Sequence, residues 1–181
     1  MTFNLPIFLT LLRIAAIPLV VLFFYLDMPL TSSVIFGLAG LTDFIDGYLA
    51  RKYNQESRFG AFLDPVADKL LVAVALLLIV EREGMFWITF AAIIIISREI
   101  TISALREWMA ETGQRSKVAV AMTGKVKAVT QIFALIFLIY NQDLWGLPLR
   151  EVGLVFLVIA TILTIVSMVE YLRSAFSSPA E

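Results

Sequence analysis

Long apolar runs broken by a few charged residues dominate the chain from end to end. A membrane-crossing helix needs about 20 mostly apolar residues, and windows of that size predict six. The first covers Ile7–Leu26 and is interrupted by Arg13 and Pro18; the second covers Leu30–Leu49. The third, Phe62–Val80, has an acidic start and then the apolar stretch Leu70–Val80. The fourth runs from Met85 through Ser97, Arg98 and Glu99 to Leu105. Val126–Tyr140 and Val152–Val169 supply the fifth and sixth. No repeat, low-complexity tract or long linker divides the pattern, and the start lacks the basic segment and cleavage site of a secretory signal. Residues 1–181 are therefore expected to form a single all-α integral membrane domain with six transmembrane helices.

Composition sharpens this picture. Hydrophobic residues make up 60% of the 181 positions, above the roughly half expected of a soluble domain. Disorder is excluded by the same value, since a disordered chain needs low hydrophobicity and high net charge. The 14 Lys and Arg nearly balance the 15 Asp and Glu, for a net charge of −1, which gives no electrostatic basis for binding nucleic acid. The chain has neither Cys nor His. Disulfides, thiolate catalysis, imidazole bases and zinc chemistry of the usual kind fall away, leaving carboxylates, hydroxyls, Lys and Arg.

The cations orient the chain. Arg51, Lys52, Arg58, Arg115, Lys117 and Arg173 fall on one side of the predicted spans, and Arg82 and Arg150 on the other. Positive residues in short loops stay on the cytoplasmic side, so both termini and the charged loops are expected there. Glu81-Arg82-Glu83 reads as a solvated turn, and Trp87, Trp108 and Trp145 as belt residues near span ends.

Four carboxylates stand where the membrane makes charge costly. Asp43 and Asp46 lie at the end of the second span, i and i+3; Asp64 and Asp68 lie at the start of the third, i and i+4. Each pair occupies one helix face, and a short loop makes the two helices neighbours, so the four carboxylates can converge. Each buried charge costs about 2.5–3.5 kcal/mol on the lenient insertion scale, and close carboxylates repel one another further. A cation resolves both difficulties. All-oxygen ligation points to a hard ion, Mg²⁺ or Mn²⁺, and four carboxylates suffice for two ions, an arrangement suited to phosphoryl transfer. Gly47 and Ala50, one turn beyond Asp43 and Asp46, and Gly60, one turn before Asp64, leave backbone open to a bulky ligand. Pro65 suits the first turn of a helix. A polar metal site is thus expected at the cytoplasmic end of the bundle.

Written out, the segment is Asp43-x2-Asp46-Gly47-x2-Ala50-Arg51-x8-Gly60-x3-Asp64-x3-Asp68. It resembles the signature of the CDP-alcohol phosphatidyltransferase family at all eight fixed positions. Asn4–Arg13, Ser97–Ala110 and Thr123–Lys127 further resemble the bacterial members that use glycerol 3-phosphate. The resemblance implies transfer of the phosphatidyl group of CDP-diacylglycerol to that alcohol, with release of CMP, by attack on the β-phosphorus. It implies that Asp43, Asp46, Asp64 and Asp68 hold the metals, that Asp68 is also the general base, and that Asp43, Asp46, Gly47, Ala50, Arg51 and Gly60 surround the cytidine diphosphate. It also implies a homodimer in the bacterial cytoplasmic (inner) membrane, among membrane lipids, in phospholipid synthesis.

The acceptor site is read from the cations. Intramembrane Arg is a functional candidate by default, and Arg pairs bidentately with phosphate. Arg98 and Arg106, joined by two i,i+4 steps through Ile102, and Lys125 are the candidates for the acceptor phosphate. Lys127, about 200° from Lys125 around a helix, is a weaker one, as are Thr10 and Arg13 on the first span. The family motif fixes the donor and not the alcohol, so inositol phosphate or serine remains open as acceptor. A cation-coupled transporter is the competing reading; it would place acids at the midplane of broken, repeated helices.

Overall fold

The computed structural model describes residues 5–53, 58–112 and 122–176, with side chains left undescribed at 5, 6, 43–53, 58, 59, 61, 122, 123 and 125. Six helices follow one another: α1 (Leu5–Tyr25), α2 (Pro29–Tyr53), α3 (Arg58–Glu83), α4 (Phe86–Glu111), α5 (Met122–Tyr140) and α6 (Leu149–Phe176). The only strands among the described residues are β1 (Asp143–Leu144) and β2 (Leu147–Pro148), antiparallel across Trp145 and Gly146. Both turn residues have positive φ, 52° and 79°, as a two-residue turn matched to strand twist requires.

Each expected span has its helix, but the helices run past the apolar windows. At about 1.5 Å per residue, the 28 residues of α6 exceed a hydrocarbon layer of about 30 Å. Among the described residues, three helical segments are long and apolar enough to cross a membrane on composition alone: Ile7–Tyr25, Phe86–Glu111 and Leu149–Ala175. Pro29–Thr42 of α2 and Val126–Tyr140 of α5 are, among the same residues, shorter apolar helical segments.

Inside the bundle, α3 is central. Its Leu71, Ala75, Leu76 and Ile79 are buried against Val20 of α1, Phe36 and Ala39 of α2, Ile88 and Ile95 of α4, and Leu135 and Leu138 of α5. A second cluster, Ile102, Met109, Tyr171 and Ala175, joins the ends of α4 and α6. Outward faces are apolar as well: Leu19 and Leu22 on α1, Ile93 on α4 and Ile162 and Ile165 on α6 are exposed. Water would not tolerate such surfaces at this density, whereas lipid tails do. The tightest approach is between α5 and α6. A Cβ on Gly153 would stand 2.9 Å from Leu138 Cγ and 3.1 Å from Phe137 Cβ, as at the small-residue interfaces of membrane helices.

Two expectations need correction. Pro65 lies inside α3, seven residues past its start, so its missing N–H interrupts the ladder of the helix and its first-turn placement fails. Glu81-Arg82-Glu83 is the last turn of α3 and is solvated only in part: Glu81 is exposed, while the Glu83 side chain is buried. Tyr25 donates its hydroxyl to Glu81, while the Arg82 guanidinium donates to the carbonyls of Leu138 and Ile139 (3.2 Å to the latter) at the end of α5. Arg150 pairs with Glu83 at 2.6 Å. These charges satisfy helix-end carbonyls and each other, so they tie α1, α3, α5 and α6 together at the end away from the acidic motif.

Candidate active site

Short connections reverse the chain after α1, α3 and α5. The start of α3 therefore shares one end of the bundle with the start of α1, the start of α5 and the ends of α2, α4 and α6. That end collects the polar side chains singled out in the sequence. Asp64 and Asp68 stand one turn apart on α3, both partly buried, one turn after the buried Gly60. Thr10, with no exposed surface, donates its hydroxyl to Asp64. Arg13, one turn further along α1, is buried and donates from Nε to the Ala39 carbonyl at 3.2 Å.

A cavity of about 170 Å³ opens beside this pair between α3, α4, α5 and α6. Its charged lining comprises Asp68, Lys69, Arg98, Glu99, Arg106 and Lys127, so four cations face two carboxylates. Arg98 is buried and held from several sides. Its Nη2 donates to Ser167 Oγ at 3.2 Å, its Nη1 lies 3.6 Å from Glu99, and its Cζ sits 5.4 Å from the centre of the Tyr171 ring. Its Nε, also buried, has no hydrogen-bond partner among the described residues. Lys127 is buried too and pairs with Glu99. Lys69 donates to the Pro65 carbonyl at 3.0 Å. Arg98 and Lys127 are the buried members and Arg106 is the exposed one; a cavity lined with two positive charges in excess suits an anion, and a phosphate monoester carries about −1.5 to −2 at neutral pH.

Arg98 and Arg106 thus share one cavity with Asp68. Of the two candidate lysines, Lys127 lines it, while the side chain of Lys125 lies outside the described residues. Thr10 and Arg13 do not line this cavity; they serve Asp64 and the α2 backbone. The sequence reading passed over Glu99, which joins two cations, and Gln131, one helical turn after Lys127. An acid next to an intramembrane Arg and an amide at i+4 from an intramembrane Lys were the available signals.

The other motif residues are only partly visible. Asp43, Asp46, Gly47, Ala50 and Arg51 belong to the α2 backbone, but their side chains lie outside the described residues, as do those of Lys52 and Arg58. Arg115 and Lys117 of the basic loop lie outside them as well. Among the described residues no three acidic side chains come together. What is visible fits a hard divalent cation: two carboxylates on one face, one oriented by a hydroxyl, in a chain without His or Cys.

A second concavity is apolar. It holds about 570 Å³ between α2 and α5, with Gly37, Gly40 and Leu41 on one wall and Val129, Phe133 and Ile136 on the other. It runs along α2 to Leu41, two residues short of Asp43.

Comparison with known proteins converges on one family. The model of the family described as CDP-alcohol phosphatidyltransferase matches residues 3–166. A CDP-diacylglycerol–glycerol-3-phosphate 3-phosphatidyltransferase of Haemophilus influenzae is 54% identical over 181 residues, covering 98% of this chain and 96% of that protein. Proteins of the same name from Salmonella choleraesuis and Shigella flexneri serotype 5b are each 49% identical over 178 residues, covering 97% of this chain and 96% of theirs.

Proposed function

The chain belongs to the CDP-alcohol phosphatidyltransferase family of enzymes, and from that premise we propose that it transfers the phosphatidyl group of CDP-diacylglycerol to glycerol 3-phosphate. The products are phosphatidylglycerol phosphate and CMP. The observation that carries the acceptor is the cavity beside Asp68, where Arg98, Arg106, Lys127 and Lys69 outnumber the carboxylates. Its volume is well below the 300–1,000 Å³ of sites for drug-sized ligands. A small phosphorylated alcohol fits it; a nucleotide-linked lipid does not.

Arg98 and Arg106 bind the acceptor phosphate, with Lys127 beside them, and this places the acceptor's primary hydroxyl toward Asp68. Asp68 takes the hydroxyl proton as the new bond to the β-phosphorus forms. The phosphoanhydride bond breaks, and its electron pair leaves with CMP. Asp43, Asp46, Asp64 and Asp68 would hold Mg²⁺ or Mn²⁺, most simply as two ions, with Thr10 orienting Asp64. When bound, such ions neutralise the diphosphate and stabilise the leaving phosphate. Gly47, Ala50, Arg51 and Gly60 surround the cytidine diphosphate. The apolar groove between α2 and α5 suits the acyl chains of the donor, because it faces lipid and leads toward Asp43.

In this reading all six helices cross the bacterial cytoplasmic membrane, with the site and both termini on the cytoplasmic side, where the water-soluble acceptor is available. The polar segments of α2, α3 and α5 belong to the site end and not to the hydrocarbon. As in the resemblance, the enzyme acts as a homodimer. The test is CMP release by the purified protein, which should require CDP-diacylglycerol, glycerol 3-phosphate and a divalent ion together. Asp68→Asn with undiminished turnover, at confirmed expression, would remove the base assignment.

A further inference from the structure

Gln131 lies on α5 one turn past Lys127 and lines the same cavity as Asp68, Arg98 and Arg106. Its side chain is buried, and its Oε1 has no hydrogen-bond partner among the described residues. A buried amide oxygen left without a donor is unfavourable, and such groups are normally satisfied by protein, water or ligand. Four cationic side chains line the same cavity, and none of them donates to it.

We infer that Gln131 determines acceptor specificity by accepting a hydrogen bond from the hydroxyl of the acceptor that does not attack phosphorus. This rests on the assignment of the cavity to glycerol 3-phosphate. The amide oxygen can only accept, so its partner must carry a proton. The phosphate, largely a dianion at neutral pH, has little to offer and is the natural ligand of Arg98, Arg106 and Lys127. The attacking hydroxyl gives its proton to Asp68. The secondary hydroxyl of glycerol 3-phosphate is the remaining donor. A site built to hydrogen-bond a substrate hydroxyl discriminates strongly against the analogue lacking it, because the protein group is then stranded.

The experiment compares glycerol 3-phosphate with 3-hydroxypropyl phosphate, which keeps the primary hydroxyl and the phosphate and lacks the secondary hydroxyl. CMP release is followed for wild type and for Gln131→Met, a change that preserves side-chain length and removes the acceptor oxygen. Wild type should prefer glycerol 3-phosphate by about tenfold or more in kcat/KM. Gln131→Met should lose most of that preference by losing rate with glycerol 3-phosphate, at an unchanged KM for CDP-diacylglycerol. Equal use of both acceptors by wild type overturns the inference without recourse to any variant. So does a variant in which both acceptors slow in parallel, since that is the mark of a structural role. Robust wild-type activity with glycerol 3-phosphate and an unaltered preference in the variant overturns the inference alone. Absence of wild-type activity with glycerol 3-phosphate, while another alcohol is used, overturns the acceptor reading and this inference with it.

Discussion

The hydroxyl of Thr10 on α1 donates to the carboxylate of Asp64 on α3, 54 residues away. A residue outside the acidic motif thereby fixes the orientation of one of its carboxylates. Groups that orient metal-binding carboxylates typically matter by about 10–100-fold in metal affinity or activity when removed. Thr10→Val should therefore raise the Mg²⁺ or Mn²⁺ concentration for half-maximal CMP release by about tenfold or more. Thr10→Ser, which keeps the donor, should stay near wild type. A metal titration of CMP release checks both.

The Arg98 guanidinium meets Ser167, Glu99 and Tyr171 and still has a buried Nε without a partner. A hydrogen bond to a charged group contributes about 1.5–3 kcal/mol. Arg98→Lys keeps the charge and loses the fork geometry, so KM for glycerol 3-phosphate should rise about tenfold to a hundredfold. KM for CDP-diacylglycerol should hold. A rise confined to the lipid substrate would place Arg98 in the donor site instead.

Glu99 and Lys127 form a second testable pair. Removing one member of a buried ion pair strands the other, at a typical cost of about 3–5 kcal/mol, whereas replacing both with apolar groups is often neutral. Glu99→Gln should lower stability strongly in detergent unfolding. Glu99→Gln combined with Lys127→Met should recover much of it, and a double-mutant cycle reads the coupling directly.

Gly153 reports on packing away from the chemistry. Its missing Cβ would crowd Leu138 and Phe137, so Gly153→Val should destabilise the contact of α5 with α6 by about 1–3 kcal/mol. At temperatures where the variant remains folded, its KM values should match those of wild type.

Much of this arrangement was legible in the sequence. Apolar windows located all six helices, and helical spacing placed Asp64 and Asp68 on one face of α3. Arg98 and Arg106, read as sharing half a helix, do line one cavity. Spacing along one helix says which residues share a face, but not which helix lies opposite. That is why the sequence alone does not show that Thr10 meets Asp64 on α3, or that Lys127 meets Glu99 on α4. It also hid Glu99 and Gln131, whose significance depends on neighbours on other helices. Pro65 was misread because proline is most at home in a first turn; here α3 continues through it. Glu83 looked solvated until its partner Arg150, 67 residues on, was in place.

The central claim is tested most directly by an acceptor screen. Purified protein is given CDP-diacylglycerol and Mg²⁺ or Mn²⁺, and CMP release is followed with glycerol 3-phosphate, inositol phosphate and serine in turn. The account predicts rapid CMP release with glycerol 3-phosphate alone, matched one for one by phosphatidylglycerol phosphate in the lipid phase and abolished by removing the metal. Release with inositol phosphate or serine but not with glycerol 3-phosphate would contradict it.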